Sequence, residues 1–195
     1  LGDSPQSVIA FDNGPGNMLI DALAQVVSHG MLDIDRDGEL SARGQVLQPV
    51  LSSLLDDEYL RRKPPKSTGR ERYGVGFAES LLRRYSEHET VDLLATVVAF
   101  TAYAIADSLR GFQLDELLVS GGGAYNRTLM GHLERLLSPT RVSKLDAQGI
   151  DIDNKEAVAF AILALQTLHG EPANLPSVTG ARGPAVLGKL CLPPL

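Results

Sequence analysis

Short apolar runs alternate along this chain with longer stretches in which apolar residues return every three or four positions. Val8-Ile9-Ala10-Phe11 is a run of strand length that ends on a carboxylate, Asp12. Helical spacing begins at Met18 and continues through Leu19, Ala22, Leu23, Val26 and Val27. It predicts a helix over 17–28, stopped at His29-Gly30. The same spacing predicts helical structure over 43–62 with a break near Asp56-Asp57. A short helix follows over 74–85, ending in Arg83-Arg84, whose charges suit a helix C-terminus. Thr90 stands where a cap would open a long helix over 91–109. A second strand is expected at 117–120, a helix capped by Asn126 at 127–137, and a third strand at 141–145. Asp153-Asn154-Lys155-Glu156 has the spacing of a capping box, in which Glu156 serves the backbone, and opens a helix over 154–168. His169-Gly170 ends it. Residues 171–184 are rich in Pro, Gly and Asn and read as an ordered loop, with a last short strand at 185–190. Strands alternating with helices predict an α/β fold: a mixed sheet flanked by helices, with strand 7–11 at its centre.

Composition narrows the partners. The chain has 195 residues and a formal charge of −6, which disfavours a nucleic-acid partner. A small anion remains possible, because local loops bind phosphate whatever the net charge. The longest apolar stretch, 93–106, is flanked by Asp92 and Asp107 and is too short to span a bilayer, so it reads as a buried helix. No membrane partner is expected. The single cysteine, Cys191, excludes an intrachain disulfide and a cysteine-based zinc site. It suggests a reducing, cytoplasmic setting. The first thirty residues lack a signal-peptide pattern. A start at Leu1 reads as a processed or excised piece. Asp33-Ile34-Asp35-Arg36-Asp37-Gly38 opens like a calcium loop, but its twelfth position is Gly44 rather than a bidentate Glu. A solvated turn is expected there, and no metal site.

Two strand–turn–helix units carry the candidate chemistry. In the first, Asp12 is followed by Asn13-Gly14-Pro15-Gly16-Asn17. Glycines at a helix N-terminus let backbone N–H groups approach a phosphate, and a carboxylate at the strand end suits a base or a metal-bound water. In the second, Ser120-Gly121-Gly122-Gly123-Ala124 precedes Asn126. Three glycines leave a flat backbone on which an adenine or a sugar can lie. Either unit alone also suits plain strand–helix packing. Neither a Walker loop nor a Rossmann fingerprint is present.

Several blocks in order along the chain resemble the anhydro-N-acetylmuramic acid kinases. They are Phe11-Asp12-Asn13-Gly14-Pro15-Gly16-Asn17-Met18 with Ile20-Asp21-Ala22, and Pro65-Lys66-Ser67-Thr68-Gly69-Arg70-Glu71. Ser120 to Ala124 with Asn126, Lys155-Glu156-Ala157 with Ala159-Phe160-Ala161, and Asn174-Leu175-Pro176-Ser177-Val178-Thr179-Gly180-Ala181 complete the set. The resemblance implies membership of the sugar kinase, Hsp70 and actin superfamily, with ATP and Mg²⁺ bound between two lobes. It implies opening of a 1,6-anhydro sugar ring and phosphorylation of O6 in cell-wall recycling. Asp12 would be the catalytic base. Gly14, Gly16 and Asn17 would lie near the ATP phosphates, and Gly121, Gly122, Gly123 and Asn126 would take the nucleotide. Glu156, Lys66 and Arg70 are candidate sugar contacts. Asn13 departs from the Thr expected after Asp12. The family's first phosphate-binding segment has no counterpart, so residues 1–195 are expected to be a C-terminal lobe, inactive alone. Two other readings stay open: a non-catalytic nucleotide-binding or interaction module, and a kinase for another anhydro sugar such as levoglucosan. A homodimer is compatible with all of them.

Overall fold

A computed structural model of the chain describes residues 4, 7–149, 151 and 154–191. The fold is assembled around one helix, α5 (Thr90–Leu109). Its middle is apolar on every side, and Leu94, Val97, Val98, Ala99, Phe100 and Ala102 are fully enclosed. Four helices precede it: α1 (Asn17–Val27), α2 (Gln48–Leu55), α3 (Arg70–Tyr73) and α4 (Val75–Arg84). Both α1 and α2 pack on α5 through one apolar face each, Leu19, Leu23 and Ala24 from the first and Val50, Leu51 and Leu54 from the second. Beyond α5 come β1 (Glu116–Val119), α6 (Arg127–Leu137) and β2 (Arg141–Lys144). β1 and β2 are parallel, with Glu116 opposite Arg141 and Val119 opposite Lys144. α6 is the crossover that a parallel pair requires. It closes on α5 through Leu129 and Leu133. α7 (Lys155–His169) and the one-turn α8 (Pro176–Thr179) complete the described α-helices.

This is an α/β structure, and most of the expected helices form within a residue or two of their expected bounds. The sheet differs. Among the described residues it has two parallel strands, not a mixed set. Residues 8–11 are not a central strand: no described strand lies beside them, and Ile9 is 58 % exposed. The segment is held instead by Asp12 N–H donating to Lys66 O at 3.2 Å. Residues 185–190 also form no strand. Ala185 is tied only to the loop before it, through Ala173 N–H and the Asn174 side chain. Thr90 is the first residue of α5 rather than its cap, and Glu89 precedes it without a side-chain cap bond.

The helix expected over 43–62 shrinks to α2 for an identifiable reason. Gln45 N–H donates to Asp92 Oδ1 (2.7 Å) and Leu47 N–H to Thr96 Oγ1 (2.9 Å). Their amides are thus committed to the first turns of α5 instead of a helix of their own. Gly44 makes this approach possible, since a Cβ there would stand 2.2 Å from the Val91 carbonyl oxygen. After α2, residues 57–62 form successive four-residue turns that bury Tyr59. Tyr73 meets Tyr59, Phe77 and Phe100 edge to face, with centroids 5.5–6.3 Å apart.

α5 has the length and hydropathy of a membrane span, but 61 % of its most apolar window is buried inside the protein. It is the core helix, as the flanking aspartates suggested.

Gly44→Ala should destabilise the fold by about 1–3 kcal/mol, the range for overpacking, because the obstructing atom is backbone. Urea unfolding followed by circular dichroism would read this as a lowered midpoint. Gly76→Ala is the control: it meets nothing within 4 Å and should leave the midpoint unchanged or slightly raised.

Candidate functional site

The two glycine turns share a backbone conformation. Gly16, which precedes α1, has φ 59° and ψ −153°. Gly121, at the end of β1, has φ 78° and ψ −177°. Both lie in a region that side chains essentially exclude. The turns also meet in space. The Asn17 amide rests on the second turn, so that a Cβ on Gly123 would fall 3.0 Å from Asn17 Oδ1 and one on Gly122 3.3 Å from Asn17 Nδ2. Beside this contact opens a cleft of about 590 Å³, lined by Asn17, Asp21, Ile34, Arg36, Gly122 and Tyr125 among others. Of the glycines expected at the nucleotide only Gly122 is in that lining, and Gly14 lies elsewhere. It packs on α5, where a Cβ would reach the Ala104 Cβ at 3.0 Å.

Asp12 stands at the mouth of the first turn with an exposed carboxylate. Ser67 Oγ donates to its Oδ2 at 2.6 Å and Thr68 N–H to the same atom at 2.9 Å. These two bonds hold its carboxyl below the usual range, the Ser67 hydroxyl contributing most. Asp12 is therefore ionised at neutral pH. Its backbone is fixed as well, because the buried Tyr59 hydroxyl donates to Asp12 O at 2.7 Å.

Lys66 and Arg70 do not join the Asn17 cleft. The Lys66 ammonium lies over the Tyr59 ring, 4.8 Å from its centroid, and donates to Tyr59 O and Leu60 O. Burial lowers its pKa. Its hydrogen bonds serve the loop that carries Ser67 and Thr68. Arg70 opens α3, is exposed, and lines a smaller cleft of about 250 Å³ with Asp21, Gln25 and Gly74. Glu156 is exposed in the first turn of α7. The start of the capping box expected to employ it, Asp153, lies outside the described residues, and α7 opens after Asn154 without a side-chain cap bond. The neighbour of Glu156 makes the link to the glycines, Lys155 Nζ donating to Ser120 Oγ at 2.7 Å.

Two aspartates escaped sequence reading. Asp35 sits in the segment expected to be a solvated turn, yet only 5 % of it is exposed. Its carboxylate accepts from Leu40 N–H (2.8 Å), Ser41 Oγ, and Asn126 Nδ2 (3.1 Å). Asn126 Oδ1 in turn accepts from Leu129 N–H at 2.9 Å, the expected cap of α6. The Asn126 amide is thus occupied on both sides, holding the second turn rather than reaching freely into the cleft. Gly38 allows the fit, since a Cβ there would come 2.5 Å from Asn126 Oδ1. Gly at the sixth position was the one legible sign of a close approach. Asp21 lines both clefts. Burial, and then the charge of Asp35, push its carboxyl up to about 6. Its sequence sign was an acid set directly beside buried Ile20. Among the described residues no three His, Cys, Asp or Glu side chains converge to hold a metal.

Asp35→Ala should cost about 1–3 kcal/mol, because Asn126 and Ser41 lose a buried acceptor. Denaturant titration would register it, and Asp33→Ala on the exposed side of the same loop should not. Asp21 predicts the opposite sign. Its folded pKa lies above the ordinary 3.8, so ionisation penalises the fold above about pH 6 and the penalty fades as pH falls toward 4. Asp21→Asn should raise Tm near pH 8, by the equivalent of about 1 kcal/mol once screening of a half-exposed group is allowed for. Near pH 4 it should change little. Thermal melts across that range test both limits.

The chain has counterparts among known proteins. The anhydro-N-acetylmuramic acid kinase family matches residues 3–193. A protein from Caldanaerobacter subterraneus subsp. tengcongensis bearing that name is 43 % identical over 198 residues, covering 98 % of this chain and 50 % of its own length. One of the same name from Bacillus cereus strain AH820 is 41 % identical over 199 residues, covering 98 % of this chain and 52 % of its own. The chain spans about half the length of the curated relatives it matches. By the extent of these matches, it belongs to the anhydro-N-acetylmuramic acid kinase family.

Proposed function

We propose that this chain is the nucleotide-facing lobe of an actin-like sugar kinase, one that opens 1,6-anhydro-N-acetylmuramic acid and phosphorylates it at O6 using ATP. The observation that carries the proposal is the meeting of the two glycine turns through Asn17, with an ionised carboxylate, Asp12, on the first of them. Gly16 and Asn17 face the phosphates with the uncapped N–H groups of α1. The Gly121 to Gly123 turn, with Asn17 resting on it, offers the adenosine a wall without side chains of its own. Asn126 acts by holding that backbone in place.

The chemistry balances as follows. A water attacks the anomeric carbon and gives its proton to Asp12. The bond from that carbon to O6 breaks, and O6 takes the γ-phosphoryl group as ADP leaves. The products are N-acetylmuramic acid 6-phosphate and ADP. Asp12 suits the base because Ser67 and Thr68 bind Oδ2 only, leaving Oδ1 without a hydrogen bond among the described residues. Tyr59 and Lys66 fix the loop and the backbone around it. Mg²⁺ would arrive on the ATP phosphates, a mode that needs one or two carboxylates rather than a protein cage. When bound it neutralises charge on the transferring group. Glu156 and Arg70, both exposed, remain the candidates for sugar contact. The recycling of cell-wall sugar places the enzyme in the cytoplasm.

Asp12→Asn, made in the complete enzyme, keeps the shape of the turn and removes the base. Turnover of anhydro-N-acetylmuramic acid should fall roughly 10²–10⁴-fold while ATP affinity stays near normal. A kcat within a few-fold of the parent would assign the base elsewhere. The 195-residue chain alone should show no measurable phosphorylation, since the reacting groups must be held together. Robust turnover by this piece, followed by ADP release, would overturn the reading of it as half of a cleft. Nucleotide binding with no sugar turnover even in the complete enzyme would favour the non-catalytic module, and phosphorylation of levoglucosan in preference would name another anhydro sugar.

A further inference from the structure

The proposed reaction leaves Asp21 unused. It lies one helical turn beyond Asn17 on the same face of α1. It lines the 590 Å³ cleft together with Asn17, Gly122 and Tyr125, and the smaller cleft together with Arg70. Its side chain is half-buried, yet among the described residues its carboxylate accepts no hydrogen bond and forms no ion pair. Arg36 and Arg70, which line the two clefts, both stand too far off to pair with it. The other carboxylates of the larger cleft are placed differently. Asp35 is engaged by Leu40, Ser41 and Asn126, and Asp37 is exposed on the opposite loop. A half-buried carboxylate without donors is costly to ionise, and the charge of Asp35 adds to that cost. Such a group inside a cleft marks a place where a ligand supplies the missing donors.

We propose that Asp21 recognises the ribose of the nucleotide, its carboxylate accepting hydrogen bonds from the 2′- and 3′-hydroxyls. The inference rests on the reading of this chain as a nucleotide-facing lobe, and adds to it a residue that selects ribonucleotides. Order along the ligand supports the assignment. The phosphates meet the first N–H groups of α1, and in a nucleotide the ribose follows the phosphates directly, with the base beyond it. Asp21 stands one turn, about 5.4 Å, further along the same helix. The cleft's apolar lining, Ile34 and Tyr125, suits the flat faces of a base and offers a ribose nothing. Chemistry supports it too. An ionised carboxylate only accepts, and a vicinal diol presents two donors side by side, the pairing by which acidic residues hold ribose in other nucleotide folds. The Asn17 contact with the second turn fixes α1 against the wall of the cleft, so the carboxylate is held at a set distance from the nucleotide.

Titration calorimetry on the complete enzyme tests this without any assay of turnover. The probes are ADP, 2′,3′-dideoxy-ADP and inosine diphosphate, each with Mg²⁺. The parent should bind ADP about 100-fold more tightly than the dideoxy compound, the effect of two hydrogen bonds to a charged acceptor. Asp21→Ala should weaken ADP to the level of the dideoxy compound and leave the dideoxy compound itself unchanged. Asp21→Asn, the variant expected to raise Tm, guards against a fold lost through Ala, and its preference for ADP should drop about tenfold. An undiminished preference in either variant would overturn the proposal. Equal weakening of ADP and the dideoxy compound would also overturn it, since a merely structural Asp21 affects both alike. If Asp21→Ala instead abolished a preference for ADP over inosine diphosphate, the carboxylate would face the base, and the proposal would fall. ADP binding indifferent to the ribose hydroxyls in the parent would overturn this inference alone, whereas a complete enzyme that binds no ADP would overturn the kinase reading and this inference with it.

Discussion

The constraint on which this molecule depends is close approach to α5. A twenty-residue helix with an apolar middle must be surrounded; helices reach it through apolar side chains, and two loops reach it where a side chain is absent. Gly44 lets the chain press against the Val91 carbonyl, which allows Asp92 and Thr96 to capture two backbone amides. Gly14 lets the first turn lie against Ala104. The same glycine that invites a functional reading therefore also answers a packing demand. Its position two residues after Asp12 means that the helix serving as the core also fixes the depth of the candidate base.

Rigidity at the second turn has a different origin. There a loop distant in sequence, residues 35–41, clamps the start of α6 through buried polar bonds. Asp35 takes the Asn126 amide, and Thr128 Oγ1 donates to Gly38 O at 2.9 Å. Burying a carboxylate is costly unless it is fully bonded, and this one is met by backbone, hydroxyl and amide donors together. The clamp also places negative charge near Asp21, so the positioning of one turn raises the pKa of a group on the helix that carries the other. The two halves of the cleft are coupled electrostatically as well as by the Asn17 contact.

What the sequence disclosed is what local physics decides. The helices at 17–27 and 127–137 follow from apolar spacing, and the Asn126 cap from a side chain bonding three residues ahead. The proximity of the two glycine turns followed from the family resemblance, which set both against one nucleotide. Strand 8–11 failed because a strand is a relation between segments, and apolar character says nothing about whether a partner stands beside it. Residues 43–47 failed because their amides are captured by side chains about fifty positions away. Asp35 escaped because its acceptor role depends on Asn126, ninety-one positions on. Lys66 looked like a ligand because a lysine in a loop usually points to solvent, whereas here two aromatic rings and two carbonyls hold it.

The Ser67 and Thr68 bonds to Asp12 bear on how a catalytic cycle closes. A carboxyl held below its ordinary range parts with a proton readily. A base of this kind pulls less strongly on the water it activates, but once protonated it is quickly emptied into solvent, and its exposed position leaves the route open. In the proposed reaction, such a group is found in its reactive form whenever the substrate arrives. The pair of donors on Oδ2 thus trades driving force in one step for readiness at the start of the next.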